Sequence, residues 1–316
     1  MTFRVRRFSS VNLSIKQVND MVNEIQVRSI LNKHKKRDNW FLDDYSVNPY
    51  ESCSFNCIYC YIRGSKYREN MAKTLSAKVN SPELLEKQLS RRAGKGEYGI
   101  IAFSSSTEPY MPIEEKLKLT RKLLEIVLKY RFPVHVLTKS KLVLRDLDLL
   151  KEIDKNAVLP NDLKPKLKHG AIISFSISTL DEKLAKILEP GAPVPKERLE
   201  TMKKCGEEGF LTGVCYIPVL PFISDTEEQL DGMIKAAKDY GADYVFVGAL
   251  TLFGNKPADC KTLYYKFLER YFPELVPKYK NLFKIFFQPT KEYQEELQER
   301  SIRICSKYKI KHRIIS

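Results

Sequence analysis

Acidic residues are the first shortage in this chain: 39 Asp and Glu face 54 Lys and Arg, a formal net charge of +15 over 316 residues. A surplus of that size biases encounters toward polyanions, which makes DNA or RNA a candidate partner. Dense lysine also serves solubility and thermal stability on its own, so the charge leaves both readings open. No run matches a zinc finger, a recognition helix or an RNA-binding strand. The basic residues thicken at Lys33-His-Lys-Lys-Arg37 and in Ser301 to Ser316, where three lysines and two arginines stand without an acid. Long apolar runs are missing too. None reaches 18 residues and the N-terminus has no apolar leader, so the expectation is a cytoplasmic protein with no membrane partner. Cysteine is scarce and odd in number at seven, which excludes a disulfide framework and fits a reducing compartment. No Gly-x-Gly-x-x-Gly follows any strand pattern, so nothing supports a dinucleotide fold.

What is present is concentrated. Three of the seven cysteines fall in Cys53-Ser-Phe-Asn-Cys57-Ile-Tyr-Cys60. Cys205, Cys215, Cys260 and Cys305 stand apart, as do His34, His135, His169 and His312. Structural zinc needs four protein ligands, and no second Cys-x-x-Cys supplies the other half. Three unrelated core cysteines are the bland alternative. Three soft thiolates on one short loop suit an iron–sulfur cube with one iron left open to another ligand.

Short β-rich runs alternate with amphipathic helices, the pattern of parallel βαβ units. The strands are expected at Val47–Tyr50, Gly99–Ser104, Val134–Thr138, Ala171–Ser176, Gly213–Val219 and Tyr244–Leu250. Helices are expected at Pro82–Arg92, Pro112–Lys129, Leu147–Ile153, Lys196–Glu208 and Asp225–Tyr240, and beyond the last strand at Asp259–Tyr271, Leu275–Tyr279 and Thr290–Tyr308. The fold class is α/β, a partial (β/α)6 TIM-type barrel with an N-terminal extension over 1–44, a barrel core over 45–256 and C-terminal helices over 257–316. An open doubly wound sheet has the same element order. In either, function collects at the carboxyl ends of the strands. Those ends carry Ser104, Ser105, Ser106, Thr107 and Glu108, then Lys139, then Ser176. Hydroxyls, a carboxylate and an ammonium in one place suit a ligand with an amine, a carboxylate and ribose hydroxyls, although Ser and Thr also bond their own backbone. Cys215 has the strand parity to face the barrel, as a small buried hydrophobe or as a hydrogen donor. Tyr264-Tyr265 and Tyr271-Phe272 read as core ahead of base stacking.

The Cys-x3-Cys-x2-Cys spacing with Tyr59 before the last cysteine resembles the cluster loop of the radical S-adenosylmethionine enzymes. Asn48-Pro-Tyr-Glu-Ser-Cys53, Thr107-Glu108-Pro-Tyr-Met-Pro112, Leu137-Thr-Lys139-Ser140 with Arg145-Asp146, and Leu188-Glu189-Pro190 are similar to motifs of the spore photoproduct lyase-like branch. The likeness spans roughly 45 to 300. Ser52 stands where that branch usually has Gly, and Glu108 and Met111 where it has Asp and Gln. The resemblance implies a [4Fe–4S] cluster on Cys53, Cys57 and Cys60 with S-adenosylmethionine on the open iron, reductive cleavage of the cofactor, and hydrogen abstraction from a substrate, with nucleic acid and photoproduct-lyase-like repair as candidates. It further implies Lys139 as partner of the cofactor carboxylate, Ser176 as a cofactor contact, Tyr59 on the adenine side, and a low-potential electron donor such as ferredoxin or flavodoxin. The branch's hydrogen-donor cysteine has no counterpart in Gly99 to Glu108. A nucleic-acid-binding protein with a structural or redox-sensing cluster and no turnover is the alternative.

Overall fold

The computed structural model describes residues 22–65, 75–103 and 106–315. Its main sheet has seven strands: β2 (Leu31–Lys33), β3 (Tyr45–Val47), β6 (Ile101–Phe103), β7 (Val134–Thr138), β8 (Ala171–Ser176), β9 (Leu211–Val219) and β10 (Tyr244–Ala249). From β3 to β10 six strands pair in parallel and in chain order, while β2 closes the β3 edge antiparallel. This is the partial (β/α)6 barrel, with helices outside each crossover. A three-stranded sheet of β1 (Asn23–Ile25), β5 (Ser76–Lys78) and β4 (Tyr50–Glu51) lies beside it.

The central strands are rich in Val, Ile and Phe and buried on both faces, as parallel strands under helices must be. One face of β8, Ile173 and Phe175, packs on the helical layer with Val136, Val214 and Val245. The other face looks into the barrel, where Ile172 meets Leu211, Cys215, Tyr244 and Phe246. From the N-terminal side Trp40, Phe41 and Leu42 enter this interior; Trp40 stacks on Phe246 at 6.4 Å and Phe41 meets the same ring edge-on at 5.6 Å. Gly213 is required here, since a Cβ on it would stand 2.2 Å from the Tyr244 ring.

Two sequence expectations change. The strand expected at Val47–Tyr50 is split between two sheets, because Pro49 has no N–H to continue the ladder. The helix expected at Pro112–Lys129 breaks at Lys118, whose φ is +50°. There the buried Glu114 carboxylate accepts from Thr120 N (3.1 Å) and Arg121 N (3.4 Å), capping a new helix, Leu119–Lys129. The basic C-terminus packs against the sheet. After the helix Lys291–Lys307 the chain runs along β10, with Lys311 O accepting from Val245 N at 2.9 Å and with Ile310 and Ile314 buried. Strand β2, from the expected N-terminal extension, and this tail both add to the barrel itself.

Inside the barrel His135 lies between two partners, Nδ1 2.8 Å from Phe41 O and Nε2 2.6 Å from Ser174 Oγ; Ser174 continues to Tyr244 OH at 2.6 Å. Burial pushes the imidazole pKa down to about 4, against a smaller upward pull from the Phe41 carbonyl and Asp38. The folded value lies below the unfolded one near 6.5, so the unfolded chain binds the extra proton and stability falls as pH drops from about 6.5 toward 4, by up to ~3 kcal/mol from this group. Denaturant titrations across that window should show His135→Asn losing about one proton's worth of the pH slope; an unchanged slope would assign the acid sensitivity elsewhere.

Candidate functional site

The cysteine loop leaves β4 through Ser52, whose φ of +68° explains why glycine suits this position. It then winds in successive tight turns: Asn56 N donates to Cys53 O (3.3 Å), Cys60 N to Cys57 O (3.3 Å) and Arg63 N to Cys60 O (2.9 Å). Arg63 fastens the turns from behind, donating to Cys57 O at 3.3 Å, to Ala258 O at 3.4 Å and to Asn56 Oδ1. In front, the segment after the helix Glu182–Leu188 lies against the loop. Ile58 N donates to Leu188 O (2.9 Å) and Gly191 N to Phe55 O (3.1 Å), and a Cβ on Gly191 would stand 2.3 Å from Ser54 O. Met111 also touches the loop: its Sδ accepts from Ser54 N at 3.2 Å.

All three thiols are free and partly accessible. Burial pushes each pKa up, Cys53 to about 11 and Cys57 well above its ordinary value, while the Lys139 charge draws Cys57 and Cys60 back down. Cys57 feels both other thiols and Cys53 feels Cys60, so the three sulfurs lie within electrostatic reach of one another. Among the described residues no three His, Cys, Asp or Glu side chains close on a single ion position. A lone tetrahedral metal needs that convergence at about 2.3 Å per sulfur; a cube, with its ligands on separate corners, does not. Three soft thiols without a fourth protein ligand are a donor set that fits a cube.

The strand ends come close to this loop, near enough for the Lys139 charge to act on Cys57 and Cys60. Lys139 Nζ donates to Ser176 Oγ at 2.7 Å, and Ser176 Oγ to Ile217 O at 3.3 Å. Glu108 is buried and engaged by the scaffold: its carboxylate accepts from Tyr110 N (3.1 Å), Lys139 N (3.0 Å) and Thr138 Oγ1. Burial raises its pKa against those three hydrogen bonds. Its geometry is that of a clamp on the Lys139 backbone. Ser106 N donates to Asn48 Oδ1 at 2.9 Å. Thr107 Oγ1 is buried without a hydrogen-bond partner among the described residues, an orphan that a bound polar ligand would satisfy. Ser104 and Ser105 lie outside the described residues. Cys215 is buried on the inner face of β9, in register with Ser176, and burial lifts its thiol to about 12. Cys260 donates its N–H to Arg63 O at 3.4 Å, and its sulfur accepts from Phe253 N at 3.0 Å.

Tyr59 is tied into a network that the sequence does not announce. Its hydroxyl donates to Glu189, which also accepts from Ser178 Oγ (3.1 Å) and pairs with Arg198, both ions 1% exposed. Arg198 reaches on to Ser176 O (2.9 Å) and Pro193 O (2.8 Å). Burial alone would raise the Glu189 pKa; the charges of Lys139 and Arg198 outweigh it and hold the carboxyl below its ordinary range. A second buried cluster, Arg145 with Glu114 (2.9 Å) and Asp146 (2.7 Å), braces the segment after Lys139. The motifs Glu189-Pro190 and Arg145-Asp146 are visible as sequence, but Arg198 reads as one more exposed helix charge.

Residues 47–234 match the Radical SAM superfamily. An uncharacterised protein of Acidianus two-tailed virus is 31% identical over 215 residues, 65% of this chain and 66% of that protein, so the match spans just under two thirds of the relative. An uncharacterised protein of Mycobacterium tuberculosis (strain H37Rv) is 28% identical over 272 residues, 84% of this chain and 75% of its own. Among solved structures, a mutant spore photoproduct lyase holding a dinucleoside spore photoproduct superposes with a TM-score of 0.63 at 15% identity, covering 93% of this chain and 81% of that one. At that identity the likeness is one of fold.

Removing one member of the buried pair should expose its weight. Arg198→Met leaves Glu189 an uncompensated charge at 1% exposure and should cost about 3–5 kcal/mol in urea unfolding. Glu189→Gln combined with Arg198→Met should recover part of that loss, and a double variant no better than the single would refute the charge argument.

Proposed function

This chain belongs to the Radical SAM superfamily, and we propose that Cys53, Cys57 and Cys60 hold a [4Fe–4S] cluster with S-adenosylmethionine seated on the strand ends beside it. When bound, the pair supplies reductive cleavage of the cofactor and a 5′-deoxyadenosyl radical that abstracts hydrogen from substrate. The observation that carries this reading is three free thiols on one short loop within electrostatic reach of one another, with the charge of Lys139 acting on Cys57 and Cys60.

The residues have distinct tasks. Lys139, held on Ser176, presents an ammonium to a carboxylate, a charge-assisted contact. Glu108 fixes the Lys139 backbone, so that the ammonium starts from a set position. Thr107 and Ser106 offer short polar groups to an amine or a ribose, and Ser176 can exchange its Lys139 contact for one to the cofactor. Tyr59, locked by Glu189, walls the recess and excludes water on the side of Leu188 and Leu220. Cys215, in register with Ser176 on the inner face, is the thiol offered for returning a hydrogen atom. The substrate reading is nucleic acid: a net charge of +15 favours a polyanion, and the lyase of like fold was solved with a dinucleoside photoproduct.

Anaerobic reconstitution should yield about four irons per chain, and Cys53→Ala, Cys57→Ala and Cys60→Ala should each abolish most of that uptake while Cys205→Ala does not. Full zinc occupancy without iron in anaerobically purified protein would sink the assignment. Lys139→Ala should weaken S-adenosylmethionine binding by about 1.5–3 kcal/mol; equal affinities by titration would remove Lys139 from the site.

A further inference from the structure

A cluster that must be reduced needs a place where its electron donor can land, and the described surface has one face built for an acidic protein. Ile285, Phe286 and Phe287 are 88%, 63% and 47% exposed in consecutive positions, and Phe222 nearby is 40% exposed. Phe222 shares a recess of about 380 Å³ with Lys278, Asn281, Leu282, Lys284 and Thr290, and the Lys278 ammonium stands 5.6 Å from the Phe222 ring. From Val276 to Thr290 the chain carries Lys278, Lys280 and Lys284 and no acid; Glu274 and Glu292 flank the segment, and Lys291 beyond it pairs with Glu295 at 3.1 Å. Lys284 adopts φ +48°, a conformation unfavourable for a lysine, and turns the three apolar residues outward. The segment is anchored: Phe287 O accepts from Leu252 N at 2.8 Å, and the Phe287 ring stacks on Phe253 at 4.6 Å.

That anchor leads to the cysteine loop. Phe253 N donates to Cys260 Sγ (3.0 Å), Cys260 N to Arg63 O (3.4 Å) and Arg63 N to Cys60 O (2.9 Å). The Cys260 thiol also feels the charge of Cys60. Four protein contacts therefore separate the half-exposed Phe287 ring from the residue of the third thiol. We propose that Phe222, Lys278, Lys284 and Ile285 to Phe287 form the docking surface for an acidic, low-potential electron-carrier protein, which delivers its electron through the Phe253–Cys260 contact to the cluster loop. The inference rests on the cluster assignment made above. One electron leaves the carrier, which is oxidised by one, and reduces the cluster by one; no bond forms and no proton moves.

Charge and chemistry select this occupant. An apolar centre rimmed by charge is the anatomy of a protein–protein interface, whereas nucleic acid is held by dense polar contacts to phosphate. A second copy of this chain would bring lysines against lysines. An acidic carrier gains from the charge in its approach rate and from the apolar centre in its residence.

The test uses the full chain and a negatively charged flavodoxin as probe. Lys284→Glu combined with Phe286→Ser should weaken flavodoxin binding at about 50 mM salt at least ~10-fold and slow cluster reduction by reduced flavodoxin in proportion, read by stopped-flow absorbance. Reduction by dithionite, and 5′-deoxyadenosine release driven by it, should match the wild type. Phe286→Leu should retain binding. Unchanged flavodoxin affinity and rate overturn the proposal, as does a loss confined to oligonucleotide binding. Loss of dithionite reduction in the same variant also overturns it, because the segment would then be supporting the cluster loop. Binding measured on the cluster-free chain keeps the docking result readable even where the cluster assignment fails.

Discussion

The buried pair of Glu189 and Arg198 is the interaction on which the geometry of the recess depends. One guanidinium ties the end of β8 through Ser176 O, the turn through Pro193 O, and Glu189, which in turn holds Tyr59 of the cysteine loop and Ser178. Two ions at 1% exposure are costly to desolvate, and a packed apolar pair would often serve stability as well. What an apolar pair lacks is direction. The ion pair fixes where a loop of three thiols sits relative to a strand end that carries Ser176, and a loop without regular secondary structure needs such fixing.

The barrel below the recess follows the same economy of polar groups. His135, Ser174 and Tyr244 form one hydrogen-bonded line across the interior, ending on the Phe41 carbonyl, and the surrounding layer is aromatic and aliphatic. Each polar atom in that line has a partner, which a buried network requires if it is to specify the packing rather than weaken it. The line also holds Phe41 in place through its carbonyl, 2.8 Å from His135 Nδ1. Further along the strands lie Ser176, in register with Cys215, and Lys139, bonded to Ser176 at 2.7 Å.

Much of this was legible in the sequence, and the unreadable parts have a common cause. Strand positions followed β-branched runs, and Val134–Thr138 and Ala171–Ser176 match the structure residue for residue. The cysteine spacing marked the loop because three thiols in eight positions have few other uses. Lys139 and Ser176, 37 positions apart, were both visible as polar strand ends, and the parallel register brings them to 2.7 Å. Glu108 was readable as a site carboxylate but not as a clamp, since its partners come from another strand. The helix break at Lys118 was hidden because the cap is the side chain of Glu114, four residues upstream. Arg198 was hidden because helical periodicity cannot tell a buried paired charge from a solvated one. Side chains that act through tertiary partners are silent in one-dimensional patterns.

The same distinction governs how the basic charge is to be understood. One of its dense stretches by sequence is the C-terminus, yet Ile310 and Ile314 are buried there and Lys311 O is spent on the edge of β10, so deleting that stretch would open the sheet before it changed any polyanion contact. Several other basic side chains are committed to acids: Arg121 to Asp146 and Asp148, Arg145 to Glu114, Lys307 to Asp231. A paired charge at the surface is largely compensated within a Debye length. The field a partner senses is therefore weighted toward segments where lysines occur without acids, and Val276 to Lys284 is such a segment. Net charge counts residues; the distribution of their partners decides where on the molecule the count has an effect.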